Sequence, residues 1–129
     1  MIYKFPITTP ANTTEAAPIK TIMKLCKGVV HKLDIVFPPG PQKLLHLIIR
    51  DSLHQVWPST TGTDFASDGE SIIFREHYDL KEDPLELYAF TWNEDDTNAH
   101  SIIIRLGILR KMIVSPWLVS WSEKLSFNQ

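Results

Sequence analysis

The run TWNEDDTNAHS, residues 91–101, gathers the side chains most able to do chemistry: Asn93, Glu94, Asp95, Asp96, Asn98 and His100. Such a set suggests a metal loop, a pair of acid/base carboxylates or the polar tip of a turn. A calcium loop needs about six to eight converging oxygens, and this run lacks the glycine and the terminal glutamate of an EF-hand. Glu94, Asp95 and Asp96 are also adjacent, so their side chains fan apart. Both flanks, LELYAFTW and HSIIIRLGIL, read as strands. Asp, Asn and Thr suit a connection because their side chains bond nearby backbone groups. Residues 93–99 therefore read as a hairpin tip, with a weak cation site as the alternative.

The remaining reactive groups are dispersed. His31, His46, His54, His77 and His100 fall in different segments, without the His-x-His pair or close His/Glu cluster that a metal site uses. Glu76 and His77 are neighbours on one strand and face opposite sides. Cys26 stands alone in MKLCKG, with no helix N-terminus to activate a thiolate, and reads as a small hydrophobe. There is no GxSxG elbow, phosphate-cradling glycine loop or dinucleotide fingerprint. These absences lead us to expect no enzyme, no cofactor and no metal.

The segments that must position these groups are strands. In VVHKLDIVF, Val29, His31, Leu33, Ile35 and Phe37 alternate with Lys32 and Asp34, the pattern of a half-buried strand. Thr21, Met23 and Leu25 alternate before Gly28, which marks either a break between two strands or a bulge. KLLHLIIRD follows the PPGPQ break, and Asp51-Ser52 is a tight turn into LHQVWP. Residues 58–71 read as a long polar loop with a turn at Asp68-Gly69. SIIFREHY, LELYAFTW and HSIIIRLGILR complete the set, Gly107 signalling a bulge or a close backbone approach. Short strands at this spacing predict an all-β fold, a single antiparallel β-sandwich of jelly-roll-like type over residues 20–110. Tyr88, Phe90 and Trp92 share one face of their strand. That face is either a second core surface, which a sandwich favours, or a platform for a ligand such as a carbohydrate, for which the 58–71 loop is the other candidate.

The two ends differ from the middle. PITTPANTTEAAP is rich in proline and threonine, so residues 1–19 read as an extended arm outside the core. The tail, residues 111–129, carries Trp117, Leu118, Trp121, Leu125 and Phe127. Ser115-Pro116 resembles a helix start, which would put these residues on one stripe; a strand followed by a turn is the other form. Exposed together they would make an assembly surface, and folded back they would seal the sandwich.

With 43% hydrophobic and 22% charged residues the composition is that of a globular domain. A net charge of −2 argues against broad phosphate binding, hence no direct nucleic-acid partner. The apolar stretch MIVSPWLVSW is interrupted and falls short of the about 20 residues a membrane span needs. The N-terminus has no signal-peptide run, so a soluble protein is expected.

In GVVHKLDIVFPPGPQKLLHLIIRD, HQVWP and LYAFTWNEDDTNAHSIIIRLGIL the chain resembles the small β-sandwich virion structural proteins of tailed bacteriophages, of the capsid-decoration, head-fibre or tail-associated type. The resemblance implies a particle-surface protein made in the host cytoplasm. It also implies a homo-oligomer, with a trimer favoured, and a larger structural partner such as a capsid protein. It carries over no functional residues.

Overall fold

The computed structural model describes residues 1–52 and 54–110. The described chain contains eight strands and no helix: β1 (Ile2–Thr9), β2 (Ile19–Lys24), β3 (Gly28–Phe37), β4 (Leu45–Asp51), β5 (His54–Trp57), β6 (Glu70–Leu80), β7 (Glu86–Asn93) and β8 (His100–Leu109). They form two four-stranded antiparallel sheets, β1-β8-β3-β6 and β2-β7-β4-β5. The expected all-β sandwich is thus what forms.

Alternation of side chains builds the shared core. One sheet contributes Leu33, Ile35 and Phe37 from β3 and Ile102, Ile104, Leu106 and Ile108 from β8. The other contributes Met23, Leu45, Leu47, Ile49, Trp57, Leu87 and Ala89. Burying one such side chain contributes about 1.5–3 kcal/mol, so the two inner faces are what hold the sheets together.

Three features depart from the sequence reading. First, residues 2–9 are not a free arm. They pair with β8 along their whole length, from Ile2 opposite Gly107 to Thr9 opposite His100, and Ile7 and Thr9 are buried. Pro6, which argued against a strand, is tolerated because β1 is an edge where alternate N–H groups face away from the partner. The sandwich therefore includes residues 2–9, and only the connection after them lies outside the strands.

Second, the run that reads as a hairpin tip does not join neighbouring strands. β7 and β8 lie in different sheets, so residues 94–99 cross from one layer to the other. Both flanks are strands as expected, but local pattern carries no information on which sheet each enters. Only β4 and β5 are joined as an adjacent pair within a sheet, through the turn at Asp51 and Ser52.

Third, the alternation of β3 is reset by a bulge between Val30 and Lys32. Val30, rather than His31, enters the core, and the imidazole lies over Gly107. A Cβ at Gly107 would sit 2.8 Å from His31 Nε2, so this glycine marks a close approach, as its place within a strand signals. Gly28 has a similar role at the start of β3, where a Cβ would meet the Leu109 carbonyl oxygen at 2.5 Å.

Candidate functional site

On β7, Leu87, Ala89, Thr91 and Asn93 face the core, which turns Tyr88, Phe90 and Trp92 outward. The core assignment favoured for these three rings is thereby reversed. The inner positions of β7 are small or polar near its end, while the outer positions carry the large rings. A strand flanked on both sides supports either arrangement, so parity groups the rings without choosing their face.

Each outward ring is covered by a basic or imidazole side chain from a neighbouring strand. Lys20 Nζ lies 4.3 Å from the Tyr88 centroid, and the Arg50 guanidinium carbon lies 5.0 Å from that of Phe90. The His46 imidazole stacks on Trp92, with centroids 5.1 Å apart and planes 6° from parallel. His46 is directly opposite Trp92 in the β4–β7 register, whereas the two cations reach their rings diagonally from opposite-strand positions. A cation over a ring face is attracted by the ring's quadrupole, by about 0.5–1 kcal/mol at exposed sites. Trp92 is only 4% exposed, so the ring is buried beneath its neighbours although it lies on the outer face of the strand.

Beside these rings lies a groove of about 520 Å³. Ile48, Phe90 and Trp92 form its base, and Arg50 and Gln55 line one part of it. Its walls are Thr61–Asp64 from the β5–β6 loop and Glu15, Ala16 and Pro18 from the β1–β2 connection. The loop wall is fixed from beneath. The Gln55 side-chain amide donates to the carbonyls of Pro58 (2.7 Å), Thr60 (3.3 Å) and Thr63 (3.0 Å). His46 Nδ1 is 3.0 Å from Asp64 Oδ1, and its Nε2 is 3.3 Å from Glu94 Oε1. The Nε of Arg50 is buried and has no hydrogen-bond partner. A buried guanidinium N–H left unpaired costs free energy.

The acidic run at residues 93–99 is used differently. Asp95 Oδ1 accepts from the backbone N–H of Thr97 (2.9 Å) and Asn98 (3.2 Å), while Oδ2 is 2.7 Å from His100 Nε2. Asp96 Oδ1 accepts from the Thr97 hydroxyl at 2.9 Å. Glu94 and Asp96 are exposed. The carboxylates thus bond the turn itself and do not converge. Among the described residues no group of three or more His, Cys, Asp or Glu side chains is placed to hold a metal ion. The structural anchor of this segment is instead the fully buried Asn93, whose side-chain amide ties the crossing between sheets to the end of β1.

The hydrogen bonds to Asp95, from Thr97 first and then from His100 and Asn98, lower its pKa from 3.8 to about 2. Its folded pKa lies below its unfolded value, so its stabilising contribution is present in full above pH 3.8 and is lost as pH falls through about 2. Urea unfolding between pH 5 and 2 will therefore show a decline that is shallower in Asp95→Asn, whose side chain does not ionise. An acid limb identical in the two proteins would show that Asp95 is not held this way.

The other dispersed groups remain apart. Cys26 is half-buried against the core, His54 and His77 are exposed, and His31 covers Gly107. Trp117, Leu118, Trp121, Leu125 and Phe127 lie outside the described residues. The groove residues Glu15, Arg50, Gln55 and Asp64 were not singled out from sequence. The one signal for them was the parity of His46, Ile48 and Arg50 on β4. Among the described residues no helix is long and apolar enough to cross a membrane. Comparison with protein-family models, curated proteins and solved structures finds no match to this chain.

Proposed function

We propose that this chain is a jelly-roll module acting as a non-enzymatic structural protein, a virion component of a phage-like particle that associates with itself and with a larger protein lattice such as a capsid. The observation that carries the reading is the pairing of strands. β1 pairs with β8, β2 with β7, β3 with β6 and β4 with β5, as in one long hairpin rolled into two sheets. Jelly rolls built in this way serve in viral capsids and in lectins. A second feature supports self-association. The outer face of the β1-β8-β3-β6 sheet exposes Ile2 (77%) and, two register positions away on the paired strand β8, Leu109 (57%). Leu109 lies just before residues 111–129, so the apolar tail follows an apolar surface in the chain. Large exposed apolar residues that lie together mark interaction surfaces.

In this reading Trp117 and Trp121 act as aromatic anchors between subunits, and a trimer is the favoured closed assembly. Deletion of residues 112–129 tests the role of the tail. Light scattering coupled to size-exclusion chromatography, with each mass divided by that of its own chain, will give fewer subunits per particle for the truncated protein than for the full chain. An equal subunit number for the two would remove the tail from the assembly.

A further inference from the structure

The groove beside the β7 rings goes beyond an assembly role, and its chemistry specifies a ligand class. We propose that it binds a short neutral oligosaccharide. Its volume of about 520 Å³ is in the range of small-molecule sites, about 300–1,000 Å³. At its base Phe90 is half-exposed under the Arg50 guanidinium, beside the buried Ile48 and Trp92. A pyranose would therefore lie against the guanidinium and the remaining apolar surface rather than on an open aromatic face. Lining the groove are groups of both signs: the Arg50 guanidinium and the carboxylates of Glu15 and Asp64. A sugar hydroxyl both donates and accepts, so it can satisfy all three.

Charged ligands fit less well. An anion would accept from Arg50 but face two carboxylates, and a cation would face the guanidinium. The loop wall is also set before binding, because Gln55 bonds the loop carbonyls and His46 holds Asp64. A preformed wall lowers the ordering cost of binding.

The test is calorimetric titration of the full-length protein with neutral glucan, mannan and xylan fragments, alongside oligogalacturonate as an acidic comparison. We expect saturable binding of at least one neutral series. Arg50→Met removes the guanidinium and should weaken that binding by about tenfold or more. Glu15→Ala, at an exposed wall position that the fold does not need, should weaken it as well and stands in should Arg50→Met fail to fold. No heat with any neutral series, binding confined to oligogalacturonate, or binding unchanged in both variants would overturn the proposal. The oligomeric mass of the same sample separates the two readings. A monomer that binds sugar defeats the assembly role alone, and an oligomer that binds none defeats the saccharide site alone.

Discussion

Trp57→Ala will destabilise the sandwich by about 3–5 kcal/mol, the usual cost of emptying a buried aromatic site. Trp57 ends β5, at the edge of its sheet, and is almost fully buried. Its ring packs against Phe74 and Tyr78 of β6, the edge strand of the opposite sheet, at centroid distances of 6.4 and 5.4 Å. Its Nε1–H donates to Glu76 Oε2 at 2.9 Å. One side chain thus closes the open side of the sandwich by both packing and a hydrogen bond. Because a domain of this size is stable by about 5–15 kcal/mol, this loss is a large share of the total. Urea denaturation will separate the two contributions. Trp57→Phe keeps most of the packing but leaves Glu76 without its donor, so it should lose less than the alanine variant. A loss below about 1 kcal/mol in Trp57→Ala would mean that this edge is not sealed as described.

The second large effect is expected at Asn93, which is fully buried. Its side-chain amide donates to the carbonyls of Asn98 (2.9 Å) and Thr9 (3.4 Å), and its oxygen accepts from the Asp95 N–H at 3.0 Å. Its backbone adds two contacts to Thr13, accepting from the N–H and donating to the hydroxyl. Nearby, the buried Thr9 and Thr91 hydroxyls pair at 2.7 Å. Asn93→Ala keeps the backbone bonds but strands three polar groups. Only the bond to the Thr9 carbonyl is fully buried. With a penalty of about 1–3 kcal/mol for a buried group left unsatisfied, and less for the two partners that water can reach, a loss of about 2 kcal/mol follows. Asn93→Asp cannot donate to the two carbonyls and buries a charge, so it should fare no better at neutral pH. Thermal unfolding of both variants checks this. Near-native melting of Asn93→Ala would show that water takes over the lost bonds and that the crossing does not depend on this amide.

These two residues show what was legible in the sequence and what was not. The strands were, because period-two alternation in VVHKLDIVF and HSIIIRLGIL is imposed by burial of one face. TWNEDDTNAHS was legible as a connection rich in self-bonding side chains. Its central residue was not, since a buried asparagine and an exposed one are written alike. The change of sheet between β7 and β8 was hidden for a related reason: topology depends on contacts between segments far apart in the chain. Pro6 concealed β1 because proline excludes a central strand but not an edge. The groove draws on the 15–18 connection, β4, the 61–64 loop and β7, and only the register of β4 against β7 brings them together. Parity could group Tyr88 with Phe90 and Trp92, but the choice of face depended on which alternate set the opposing sheet could pack against.

The central proposal is that this two-sheet β-domain works by assembling with copies of itself. Native mass spectrometry of the full chain over a range of micromolar concentrations tests it most directly. The account predicts one dominant closed species, favoured at three times the 14.8 kDa chain mass, that persists on dilution. A monomer at every concentration would contradict it.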